Sequence, residues 1–539
     1  MSLKPEPSRP MPADLAVLGA TLLPADSPYR LIGDQLYATY HNADFVDLYH
    51  PEGQPGLQPV DLLFVLAFQA LEQLGDRAAA DALRVRLDWK YALHLPLDAP
   101  GFNFSVLSEF RDRLVAHDAS ARLFDRLLQD LRTLKLLKRR GRQRTDSLAI
   151  HTQMRHLTRI ELVVETLRLA LRAVVQADPG WARLTLPPTW EESYGERAVL
   201  ERLSAADRTR LESETGRDGQ WLLERLAEER APSAGARLPA VALLATVWVQ
   251  QYERPDGDLV FRDLRGGYDG TAQVQTPHDP QARWSKKGAQ SWIGDKLQVS
   301  ETDDAELPHL ITDIALTSSV EGDTTALAAI AERQTKRGVG PRERFVDQGY
   351  MSGGTLRDAR QRQEELLGPV RTGDPAPQAH RADGITQAQF QIDEAAQTAR
   401  CPQGATAGGQ LHADGTLRFR FAASGCRACP LRVRCCSGRG GRGLTLSPGH
   451  AEVVAARVRQ ATDGFKTAYR AHRGGVEGCL SALVRGHGVR VNRYIGRAKN
   501  QVRVLMIGVA VNLRRAARWL AGKRPQTRRQ GLGLALADR

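Results

Sequence analysis

The chain has 539 residues, 42% of them hydrophobic and 25% charged, which excludes a disordered or fibrous protein and, at this length, predicts two to four domains. Lys plus Arg number 75 against 62 Asp plus Glu, a formal net charge of +13. Such a surplus favours a partner made of phosphates, because each neutralised phosphate releases a condensed counterion; the plainer reading is a basic surface that keeps the protein soluble. The early apolar run Leu15–Leu23 follows Asp14 rather than a basic residue and leads to no small-residue cleavage site, so no signal peptide is expected. The late run Val504–Val511 is far shorter than the roughly 20 residues that span a bilayer, and it predicts a buried helix in a cytoplasmic protein.

In chain order, residues 1–30 read as a loose, Pro-containing lead-in. Residues 31–138 read as a helical domain, on apolar spacings of three and four in Val60–Leu71 and Ser105–Leu114. Ser105, with Ser108 and Glu109 following, predicts an approximate N-terminal cap for the second of these helices. The basic run Lys135–Arg144 holds Lys138, Arg139 and Arg140 and leads directly into Asp146, so it reads either as a phosphate-contacting segment or as a solvated face. Gln143–Ile150 predicts a buried strand, followed by a helical stretch from Thr158 to about Glu229, broken near Pro179-Gly180 and Pro187-Pro188. Strands are expected again at Ser291–Ser300, Pro308–Leu316 and Glu343–Tyr350, with a helix at Asp323–Thr335. Alternating strands and helices argue for an α/β core over residues 139–395, with a helical insertion at about 157–235. A Cys-rich insertion, 396–445, precedes the rest of the core, 446–523, with helices around 449–471, 476–486 and 498–521. The basic tail, 524–539, is expected to be disordered.

Phosphodiester chemistry with two divalent ions needs about three carboxylates converging from separate elements. An Asp inside an apolar strand is costly unless it has a partner or a role, and Asp347 in Phe345-Val-Asp-Gln-Gly-Tyr350 fits that description. Asp146 fits it less clearly, because Thr145 and Ser147 flank it. Taken singly, either reads more readily as a turn cap, and Asp269, Asp295, Glu301 and Asp313 are rivals that periodicity does not separate.

Several segments, in order, resemble bacterial insertion-sequence transposases of the DDE, ribonuclease H-like superfamily. Arg144-Thr-Asp-Ser-Leu-Ala-Ile150 resembles the first catalytic strand, and Arg159–Arg168 the helix after it. Phe345–Ser352 resembles the second, and Arg473-Gly-Gly-Val-Glu-Gly478 the segment carrying the catalytic Glu. Asp76-Arg77, Arg84–Tyr91 and Phe104–Leu114 resemble the helical N-terminal, DNA-binding domain of the same branch. The resemblance implies a ribonuclease H-like core and an enzyme that cleaves element ends and joins them to target DNA. It names Asp146, Asp347 and Glu477 as ligands of two Mg²⁺ or Mn²⁺ ions; Arg473, Arg485 and Lys499 are the groups expected to position phosphates. The implied partner is double-stranded DNA, terminal inverted repeats and target, bound by a homodimer in a bacterial nucleoid. A catalytically silent DNA-binding relative and a stand-alone ribonuclease H-like nuclease are the competing readings. The chain departs from the family's Tyr, Arg, Glu and Lys spacing: the Tyr position holds Arg470, with Tyr469 one residue early, and the Lys position holds Val484, with Arg485 next. Gly294-Asp-Lys-Leu-Gln298 stands where the family has Gly-Tyr-Lys-x-His, and Gly474-Gly475 argues against one continuous helix from Arg473.

Five of the six cysteines fall between Cys401 and Cys436, which in a reducing compartment points to metal rather than disulfides. Cys401, Cys426, Cys429 and Cys435 are separated by 24, 2 and 5 residues, and four thiolates satisfy a structural Zn²⁺; the alternative is four reduced, non-ligating thiols. Cys436 is a substitute fourth ligand, and Cys479 reads as an ordinary buried thiol. Gly438-Arg-Gly-Gly-Arg-Gly443 follows no strand and opens no helix, so it is not a dinucleotide loop, and no GxxxxGK[ST] loop supports a nucleotide cofactor. Trp292 reads as core packing ahead of base stacking.

Overall fold

The strand expected around Asp146 forms β1 (Arg142–His151), the centre of a six-stranded sheet, in a computed structural model that describes residues 1–196, 204–228, 237–255, 257, 259–263, 272–371, 383–436 and 440–524. Asp269, residues 438–439 of the Gly438–Gly443 run and residues 525–539 of the basic tail lie outside the described residues. Beyond β1 come β2 (Arg283–Lys287), β3 (Gln290–Thr302), β4 (Ile311–Ser318), β5 (Glu343–Phe345) and β6 (Glu365–Leu367). β3 runs antiparallel to β1 on one side, and to β4 and the short β2 on the other; β5 lies parallel to β1, and β6 parallel to β5. The order β4-β3-β1-β5-β6, an antiparallel trio continued by two parallel strands, is a ribonuclease H-like core.

The two faces of β1 have separate chemistry, because successive side chains alternate. Gln143 and Thr145 point into a polar layer: Thr145 Oγ1 bonds Ser300 Oγ (2.7 Å), and Gln334 Nε2 donates to Gln143 Oε1 (2.8 Å). The wholly buried Arg344 donates to Gln334 Oε1 (2.6 Å), Thr145 Oγ1 (3.0 Å) and Glu364 Oε1 (2.5 Å). Buried polar groups of this kind are tolerated only when each finds a partner. Arg144 and Asp146 point the other way, towards the closing helices.

In the N-terminal domain, α1 (Pro59–Glu72) starts on Pro59, whose missing N–H costs nothing in a first turn, and is buried almost all round. The first thirty residues, expected to be loose, are instead pinned to it. Arg9 pairs with Asp61 at 2.6 Å, Ser2 bridges Pro55, and the helix Ala13–Leu22 buries Leu15. Of the apolar run Leu15–Leu23, Leu15 and Gly19 are buried, while Val17 and Leu22 are exposed. No side chain caps Ser105–Ala116 as expected; Asn103 Oδ1 accepts from Ser105 N (3.0 Å) instead.

The helical insertion opens on α2 (Arg159–Ala177) with a Thr158/Glu161 capping box. It extends past residue 235, because the helix Pro239–Gln251 supplies Val241, Leu244, Val247 and Trp248 to its core. The Cys-rich unit likewise starts earlier than 396. It is an antiparallel five-stranded meander, β7 (Gln391–Asp393), β8 (Thr398–Arg400), β9 (Thr406–Leu411), β10 (Leu417–Arg420) and β11 (Gly443–Leu446), around Phe390, Phe419 and Phe421. Between β4 and β5 runs α3 (Asp323–Lys336). The fold closes with α4 (Asp463–Arg473), α5 (Gly475–His487) and α6 (Arg497–Leu520), which carries Val504–Val511 as the buried segment expected. Among the described residues no helix is long and apolar enough to cross a membrane.

Candidate active site

Asp146 sits mid-strand and 8% exposed, its Oδ1 accepting from Ser147 N (2.8 Å) and its Oδ2 from Arg473 Nη2 (2.7 Å). Asp347 lies two residues past the end of β5 rather than inside a strand, because the chain turns there. Its Oδ1 accepts from Gly349 N (2.9 Å) and caps the turn Gln348–Tyr350. The parallel register pairs Arg144 with Phe345, so Asp146, two residues further along β1, and Asp347, two residues past the end of β5, come close enough for the charge of one to act on the other. Burial, and then the charge of Asp146, push the Asp347 carboxyl above its ordinary range; Lys287 opposes this and Asp323 adds to it. Lys287, at the β2–β3 turn, holds Nζ 4.0 Å from Asp347 Oδ2.

The rival carboxylates are bound into structural ion pairs. Glu301 accepts from Arg144 and Arg515 (2.8 Å each), Asp313 from Arg333 (2.7 Å) and Arg337 (2.6 Å), and Asp295 from Arg497 (2.8 Å) and Asn492 (2.9 Å).

The closing helices bring the basic escort. Thr462 caps the start of α4, its Oγ1 accepting from Phe465 N (3.2 Å). Tyr469 donates its hydroxyl to Val346 O (3.0 Å), beside Asp347. Tyr469, Arg473 and Glu477 follow at four-residue steps. The helix is interrupted between the last two, where Arg144 Nη1 donates to His472 O (3.2 Å). A Cβ on Gly475 would stand 1.9 Å from that nitrogen, which explains the glycine. The break expected at Gly474-Gly475 is therefore the docking point of a buried arginine.

Glu477 is exposed in the first turn of α5, whose buried face is Val476, Cys479, Leu480 and Leu483. The three expected ligands do not converge: among the described residues, no three His, Cys, Asp or Glu side chains are placed to hold one metal ion. Arg473 instead occupies Asp146 Oδ2, while its own Nε and Nη1 are buried without a hydrogen-bond partner. Asp146 and Asp347 suit a hard divalent cation in donor chemistry, since Mg²⁺ takes one or two carboxylates together with substrate phosphates.

Of the other expected DNA contacts, Arg485 and Arg139 are exposed, Lys499 pairs with Asp112 (2.7 Å), and Lys138 pairs with Asp304 (3.3 Å) and Glu306. Arg140 donates to Gln363 O (2.5 Å). Cys401, Cys426, Cys429 and Cys435 line one cavity, but no three of them are placed to hold one zinc ion, and burial pushes the Cys435 thiol up to about 11. Cys479 is the buried thiol expected, and Trp292 is buried with Nε1 donating to Asp295 O (3.2 Å). Lys287, Asp323 and Tyr469 were not singled out from the sequence as site residues. The Lys-Lys-Gly turn between two strands is a hairpin signal, but nothing in it places Lys287 over Asp347.

Two family descriptions match the chain: "Transposase domain (DUF772)" over residues 20–113 and "Transposase DDE domain" over residues 400–517. The second takes in Arg473 and Glu477, whereas Asp146 and Asp347 lie outside both. No curated protein matches the chain. With a transposase domain matched towards each end and a ribonuclease H-like sheet between them, the chain is similar to the insertion-sequence transposases of the DDE type.

Proposed function

We propose that this transposase cleaves the ends of its element and joins them to target DNA, with Asp146 and Asp347 as metal-binding carboxylates and Glu477 as the third. The observation that carries the reading is the pair of neighbouring carboxylates beside the Arg473 guanidinium. The positive charge of Arg473 at this point suits a scissile phosphate held beside the carboxylates. Lys287 neutralises the outer side of the same site, and Tyr469 walls it against Val346. Bound Mg²⁺ or Mn²⁺ supplies an activated water and charge neutralisation at the phosphate. Glu477, one helical turn beyond Arg473, is the nearest acid on that strip of helix.

The test is cleavage and strand transfer on DNA carrying the element's terminal repeats, with Mg²⁺ or Mn²⁺. Asp146→Ala and Asp347→Ala are expected to abolish both. Wild-type rates in Asp347→Ala would overturn the assignment, and cleavage without joined products would make the protein a nuclease only.

A further inference from the structure

Away from the carboxylates, the C-terminal ends of α1 and α5 meet beside α6 around a cavity of about 230 Å³ lined by Gln69, Gln73, Arg111, His487, Arg493 and Arg503. Arg111 is neutralised by Asp76, whose Oδ1 also accepts from Gln69 (2.7 Å). Three neighbouring guanidiniums are not neutralised in this way. Arg493 Nη1 donates to Leu74 O (2.7 Å), and Arg514 Nη2 to Leu71 O (3.2 Å). Arg503 donates to Val491 O (2.8 Å), Gly488 O (2.9 Å) and His487 O (3.2 Å). Among the described residues none of the three has an ion-pair partner.

Capping two helix ends accounts for part of this charge only. Each C-terminus offers about half a negative charge, so two of them offset roughly one of the three guanidiniums. Burial and the charge of Arg493 push Arg503 down, and His487 is pushed down by burial and then by Arg514, Arg503 and Arg515. The excess positive charge is therefore felt within the seam itself.

We propose that the seam formed by Arg493, Arg503 and Arg514 is a docking site for the phosphodiester backbone of duplex DNA, separate from the carboxylate site. The proposal rests on the reading of the protein as a DNA transposase, but binding can be measured without divalent metal, so its failure is distinct from a failure of cleavage. The experiment is fluorescence anisotropy of a labelled duplex over a salt series, with Arg493→Gln/Arg514→Gln and, as a charge-matched control on the insertion, Arg208→Gln/Arg217→Gln. The double variant is expected to bind about tenfold or more weakly, with the slope of log K against log salt reduced by about 2, while the control follows wild type. Wild-type affinity and slope in the folded double variant would overturn the proposal. Phenylglyoxal labelling of the unmutated protein gives a second readout that no misfolding affects: the duplex is expected to protect Arg493 and Arg514, and equal labelling with and without it would also overturn the proposal.

Discussion

At the scale of single residues, Asp347 is held in a conformation that favours its protonated form. A folded-state carboxyl pKa above the unfolded value means the folded chain binds the proton more tightly, so this group's contribution to stability falls as pH rises through the carboxylate range. Asp347→Asn is therefore expected to raise the melting temperature above pH 6 while abolishing cleavage, measured by thermal denaturation and the strand-transfer assay; a lower melting temperature would contradict it. The same proton competes with metal, so apparent Mn²⁺ affinity is expected to weaken as pH falls into that range. Gly475 carries the opposite kind of constraint. Gly475→Ala drives a methyl into the Arg144 guanidinium, which is anchored by Glu301, Asp303 and His472 and so cannot swing away. A loss of about 1–3 kcal/mol is expected in urea denaturation.

Among the elements, the link between α6 and the sheet depends on one amide. Asn512 Oδ1 accepts from Ile311 N (2.7 Å) and its Nδ2 donates to Ile311 O (2.8 Å), beside the register shift of β3 at Ser300 and Glu301. Asn512→Leu leaves both backbone groups of Ile311 buried and unpaired, and about 2 kcal/mol of destabilisation is expected by denaturant titration. This bond has no periodic signature, which is why a sequence reading misses it. Apolar spacing did announce α1, α3 and α6, and alternation with strand-forming residues announced β3 and β4. It did not reveal that Asp347 follows its strand, because the strand's end is set by the turn at Gln348. Nor could it separate Asp146 from Asp295, Glu301 or Asp313, since each lies in a β-like run and all four pair with arginine; what sets Asp146 apart is its nearness to Asp347, which only the fold brings about. The cysteines show the same limit: their spacing suggested a zinc site, whereas among the described residues no three of them are placed to hold one metal ion.

Across the whole molecule, an ionic network ties the sheet to the closing helices. Burial alone would raise the Glu301 carboxyl, but Arg515 and Arg144 hold it below the ordinary glutamate value. A depressed carboxyl pKa contributes stability above the unfolded value and loses it as pH falls through the folded one. Arg515→Met is expected to cost about 3 kcal/mol near neutral pH and to flatten the acid side of the stability profile, measured by chemical denaturation across pH. α6 extends this joining of distant parts. Its buried face, including Val504, Leu505, Ile507 and Leu513, shares one apolar cluster with Phe64, Phe68, Phe110 and Phe124 of the N-terminal domain and with Val299 and Ile314 of the sheet. The N-terminal domain therefore leaves the ribosome lacking part of its core until α6 has been translated, and a nascent or prematurely terminated chain must carry that open apolar face for the whole interval.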